Sequence, residues 1–150
     1  TNFSAKINGM TFPMPGTPTA VAIYLDTAKE SSTLIIGLSI LASDLSHQEQ
    51  ILLNCSTNDS TRIKTGDIFT RTNNTVGNIY HLGIGIYQDG YLQPQSSLIA
   101  VSDSLCMVTI TKLDQIAQTV SGEFQFTAVE DSTNAVYEIT EGVFTDISYD

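Results

Sequence analysis

The sequence predicts an all-β domain, an antiparallel β-sandwich of about ten short strands. Apolar residues make up 41% of the 150 positions, and they recur in short runs broken by Gly, Asn, Asp, Ser and Pro rather than at helical spacing. Turn-forming residues return every eight to twelve positions or so, the rhythm of short strands joined by tight connections. Near the C-terminus, Phe124, Phe126 and Ala128 alternate with Glu123, Gln125 and Thr127, which places the apolar set on one face of an extended segment.

The elements follow in order. Phe3, Ala5 and Ile7 alternate with Ser4 and Lys6 and run into Asn8-Gly9, a dipeptide suited to the positive φ of a hairpin turn. Pro13, Pro15, Gly16 and Pro18 make an irregular connection. Ala20 to Leu25 reads as a short strand that ends in a polar turn at Asp26 to Ser32. Leu34, Ile36, Leu38 and Ile40 then share one face, with a mixed face of Ile35, Gly37, Ser39 and Leu41 opposite, as in a strand covered in part on both sides. Ser46 and Glu49 have capping-box spacing, but the apolar run after them is too brief for a stable helix. The expectation is therefore a hairpin, with a turn around Asp44 to Gln50 and a strand at Ile51 to Cys55. Further strands are expected at Asp67 to Arg71, Asn78 to Gln88, Leu98 to Val101 and Leu105 to Thr111, ahead of the C-terminal pair. An antiparallel barrel, lipocalin-like or other, is the alternative arrangement of the same strands.

Composition limits function. Six basic residues against 16 acidic ones give a net charge of −10, which repels phosphate backbones and argues against nucleic acid as a partner. No apolar run approaches the ~18 residues that span a bilayer as a helix. Residues 1–150 fit one domain, large enough to bury its own core. Cys55 and Cys106 fit either a disulfide or two separate buried thiols. The disulfide would contribute on the order of 4 kcal/mol by constraining the unfolded chain.

Catalytic signatures are absent. There is no Gly-x-Ser-x-Gly elbow, and neither His47 nor His81 sits in a metal-ligand spacing. Gly83 and Gly85 lack the third glycine and the βαβ setting of a dinucleotide fingerprint. No metal, cofactor or catalytic residue is assigned on these grounds. One strand suggests a binding surface instead. On Asn78 to Gln88 the sequence expectation sets Tyr80, Leu82, Ile84 and Ile86 toward the core, leaving His81, Gly83, Gly85 and Tyr87 on a flat outer face. With Asp89 and Tyr91 in the following turn, that face would offer a stacking platform for a sugar or a peptide. Packing of neighbouring segments against the glycines is the competing explanation.

The two ends also resemble a known family. The opening Phe3, Ala5, Ile7, Asn8-Gly9 and Phe12, the segment Thr111-Lys112-Leu113-Asp114, the segment Ser121-Gly122-x-Phe124-x-Phe126-Thr127-Ala128 and the segment Ile139-Thr140-Glu141-Gly142-x-Phe144 resemble secreted, often lipid-anchored Bacteroidetes domains of unknown function. The resemblance implies export to the periplasm or outer-membrane surface, with an upstream signal segment and a lipobox cysteine serving as a lipid anchor. That family has no established biochemical activity, and the missing catalytic motifs argue against an enzyme. The expected role is a noncatalytic cell-surface or periplasmic binding or assembly module, with carbohydrate, peptide or another cell-envelope protein as partner. A self-associating structural domain and a carboxylate-dependent hydrolase are the alternatives.

Overall fold

A computed structural model describes residues 2–16, 18–30, 33–59, 62–71, 74–76, 79–89, 98–101, 106–130 and 133–149. Twelve strands occupy them: β1 Phe3–Ile7, β2 Met10–Phe12, β3 Thr19–Glu30, β4 Thr33–Asp44, β5 Glu49–Thr57, β6 Ile68–Thr70, β7 Asn74–Val76, β8 Ile79–Asp89, β9 Leu98–Val101, β10 Met107–Asp114, β11 Thr119–Val129 and β12 Val136–Ser148. The all-β expectation holds. Ten strands run in the order β2-β1-β12-β11-β10-β6-β8-β5-β4-β3, while β7 pairs with β8 and β9 pairs with both β11 and β8. The strands thus form one sheet curled into a half-barrel rather than two separate layers. Every pairing is antiparallel except the single bridge between β6 and β8, Thr70 opposite Leu82.

Local chemistry explains the hairpins. Asn8 and Gly9 take φ of 49° and 82°, the two positive values a tight two-residue turn requires, and return the chain from β1 to β2. The β4–β5 and β10–β11 turns share one device. Asp44 Oδ1 accepts from the N–H groups of Ser46 and His47, and Asp114 Oδ1 accepts from those of Ile116 and Ala117. A positive-φ glutamine then closes each turn, Gln48 at 55° and Gln118 at 52°. The carboxylate supplies acceptors that the turning backbone lacks, so the helical alternative at Ser46 to Glu49 gives way to the expected hairpin.

The β3–β4 hairpin corrects one boundary. Pairing continues without a register shift from Thr19 opposite Asp44 to Glu30 opposite Thr33, so Asp26 to Glu30 extend the strand where a polar turn was expected. Continuous pairing along β4 overrides the weak strand propensity of Asp and Lys.

The core lies inside the curl. Ile36, Leu38, Ile40 and Ala42 of β4, Ile51, Leu53 and Cys55 of β5, and Phe124, Phe126 and Ala128 of β11 are all buried. An aromatic group joins the first strands to the last: Phe3 lies 5.1 Å from Phe124 and 6.3 Å from Phe12, and Phe124 lies 6.3 Å from Phe144. Such contacts add about 0.5–1.5 kcal/mol per pair beyond the area they bury.

Candidate functional site

The predicted binding face on β8 is turned the other way. Gly83, Gly85 and Tyr87 point into the curl, with Tyr87 only 2% exposed, while Leu82, Ile84 and Ile86 lie on the convex side. The glycines explain the inversion. A Cβ on Gly83 would come within 2.8 Å of the Phe69 carbonyl oxygen, and one on Gly85 would collide with the ring of Phe126. The β6 backbone at Phe69 and the Phe126 ring need the space that these glycines leave. On the convex side, Leu52 of β5 lies opposite both Leu41 and Ile86, so the aliphatic β8 residues share a half-buried stripe with their neighbours.

The other members of the predicted set scatter. The His81 ring packs 5.2 Å from Phe69, and its Nε2 is buried without a hydrogen bond, 3.7 Å from the Asp67 carboxylate. Asp89 ends β8 opposite Glu49, and Tyr91 lies outside the described residues. His81, Tyr87 and Asp89 therefore do not form one accessible surface. Cys55 and Cys106 stand as two buried free thiols, so the structure holds the second of the two arrangements expected for them. Burial raises both, pushing the Cys106 thiol up to about 11 and Cys55 further, with the neighbouring Cys106 adding to the effect on Cys55. A thiol held in its neutral form is a poor nucleophile.

Three carboxylates line up across adjacent strands, with Glu49 opposite both Asp44 and Asp89. Asp44 is 1% exposed and accepts from the Met14 N–H in addition to its turn donors, with the His47 Nδ1 at 3.2 Å. Its role is to hold the turn. Burial raises the pKa of Glu49, the Tyr87 hydroxyl opposes that by donating to it at 3.1 Å, and Asp89 and Asp44 add to the rise. Neither of the two large clefts is lined by this group. Among the described residues, no cluster of three or more His, Cys, Asp or Glu side chains is placed to hold a metal ion.

Accessible features gather along the seam where the curled sheet fails to close. β3 pairs with β4 on one side and with no strand on the other among the described pairings. At one end Phe12 and Pro13 approach Val21 and pinch the seam nearly shut. Toward the other end every residue from Tyr24 to Lys29 is exposed, and the seam opens into a cleft of about 340 Å³. Leu25, Leu34, Ile36, Ile63, Leu113 and Tyr149 give that cleft apolar walls, and Arg62 stands on its lining. A shallower hollow of about 380 Å³ on the outer face of β10 to β12 includes Glu123 and Glu141, the latter in an ion pair with Lys6 at 2.8 Å.

The family model for a domain of unknown function, DUF6252, matches residues 37–148. The chain belongs to the DUF6252 family. That match begins within β4 and ends with β12, so that Arg62, Ile63 and Leu113 of the cleft fall inside it while Leu25, Leu34, Ile36 and Tyr149 fall outside. No curated protein and no solved structure matches this DUF6252 chain. No helix among the described residues is long and apolar enough to cross a membrane.

Proposed function

We propose that this DUF6252 domain is a noncatalytic binding and assembly module of the cell envelope that takes up an extended segment of a partner polypeptide along β3. The free edge of β3 carries the reading. Its twelve residues, Thr19 to Glu30, contain no proline, no glycine and no bulge. Beyond the end that Phe12 and Pro13 cover, from Tyr24 to Lys29, such a strand presents a row of unpaired N–H and C=O groups, to which an added strand contributes main-chain hydrogen bonds. The opposite edge is blunted, because β2 has three residues between the Asn8-Gly9 turn and Pro13. A peptide ligand fits this geometry better than a sugar does, since the tyrosine meant to stack on a sugar is in the core. Placement in the envelope rests on the likeness of the two chain ends to exported domains.

A thermal-shift screen against glycans and strand-length peptides, followed by hydrogen exchange, tests the proposal, since any ligand of the native state raises its apparent stability. Peptides should raise the melting temperature and slow exchange of the outward amides of β3. A selective shift with a glycan, leaving β3 exchange unchanged, would refute strand addition.

A further inference from the structure

We propose that the cleft beneath the β3–β4 hairpin binds an aliphatic carboxylate, its acyl chain against the apolar walls and its headgroup on Arg62. The cavity's volume of about 340 Å³ lies within the range of roughly 300–1,000 Å³ typical of small-molecule sites. Leu34, Ile36, Ile63 and Leu113 stand on its walls, and among the described residues no carboxylate lines it. That is unusual in a chain with 16 acidic residues and a net charge of −10.

Arg62 supplies the polar end. Among the described residues, Lys6, Lys64 and Lys112 are each held in an ion pair at 2.8–3.0 Å, whereas neither Lys29, exposed on β3, nor the Arg62 guanidinium on the cleft has an ionic partner. Its planar fork of donors matches a carboxylate better than a point charge would. The loop that carries it is firmly placed: Ile63 is 2% exposed, the Thr65 hydroxyl accepts from the Leu113 N–H at 2.9 Å, and the Gly66 N–H donates to the Ile110 carbonyl at 2.7 Å. Arg62 itself holds a φ of 109°, a conformation that side-chain-bearing residues rarely adopt. An apolar cavity with one unneutralised guanidinium selects a ligand with one long apolar part and one anionic end. The site shares the seam with the β3 edge, since Leu25 and Thr27 of that strand stand on its lining, but it uses side chains rather than the backbone groups of the edge.

Decanoate, decanol and decylamine, titrated calorimetrically into the intact protein, separate the possibilities. Decanoate should bind saturably and the amine should not. Arg62→Gln, at an exposed position, should weaken decanoate between about 10- and 100-fold while leaving the weaker decanol binding unchanged, the loss expected for one charge-assisted hydrogen-bonded contact. Leu34→Trp, filling the cavity, should abolish both. Equal affinity for decanoate and decanol, no saturable decanoate binding, or an Arg62→Gln variant that binds as the parent does would each overturn the proposal. The Arg62 variant keeps the test decisive should the Leu34 variant fold poorly.

Discussion

At the scale of single residues, the strongest constraints are spaces rather than groups. Gly85 is the clearest case, since the Phe126 ring occupies the volume where its side chain would be. Gly85→Ala should destabilise the protein by about 1–3 kcal/mol, as overpacked cores do, and a denaturant titration will show it. The same substitution would have been mild on the exposed face that β8 was expected to present. That expectation erred because Leu82, Ile84 and Ile86 are larger and more apolar than His81, Gly83 and Gly85, and hydrophobic alternation favours the larger set for the interior. The bulk that fills the curl comes instead from Phe69 and Phe126 on other strands, which no local pattern reveals. Glu49 makes a second test. Its carboxyl keeps its proton to a higher pH in the folded protein, so the stability tied to it is complete below the ordinary value of 4.5 and declines as pH rises through the raised one. Glu49→Gln should therefore raise the melting temperature at neutral pH, with the gain fading as the pH falls through the raised value toward 4.5. Cys55 and Cys106 should react with a disulfide reagent only after denaturant is added, given their burial and raised pKa values.

Among the elements, β3 separates what was legible from what was not. The strand beginning near Ala20 could be read from Val21, Ile23 and Leu25, but its continuation through Asp26 and Lys29 depends on pairing with β4 rather than on its own residues. The β4–β5 turn was legible because Asp44 and the polar residues after it announce a turn. The cleft was not, since it is assembled from β3, β4, the Arg62 loop and β10, and Arg62 has no distinguishing neighbours in sequence. If β3 is the docking edge, a charge placed on its exposed half should block docking without harming the fold. Tyr24 is 63% exposed, so Tyr24→Lys should shift stability by no more than about 0.5 kcal/mol while abolishing peptide capture, measured by melting temperature and calorimetry on the same sample.

For the whole molecule, the joining of both walls of the curl into one continuous sheet implies cooperative unfolding. Phe3, 1% exposed, touches the rings of Phe12 and Phe124 and lies opposite Phe144 in the β1–β12 register. Phe3→Ala should cost about 3–5 kcal/mol and lower the midpoint reported by every spectroscopic probe together. The pairing of β1 with β12 also has a bearing on the order of events in a cell. Residues 3–7 leave the ribosome well before their partner strand, 136–148, so β1 has to wait through the synthesis of everything between them. Local hairpins such as β3–β4 can form on the nascent chain, but the sheet is complete only once residues 136–148 have emerged. A sheet that waits for its twelfth strand leaves the earlier hairpins with unpaired edges in the meantime, and makes the closing of this domain a late, non-local step of folding.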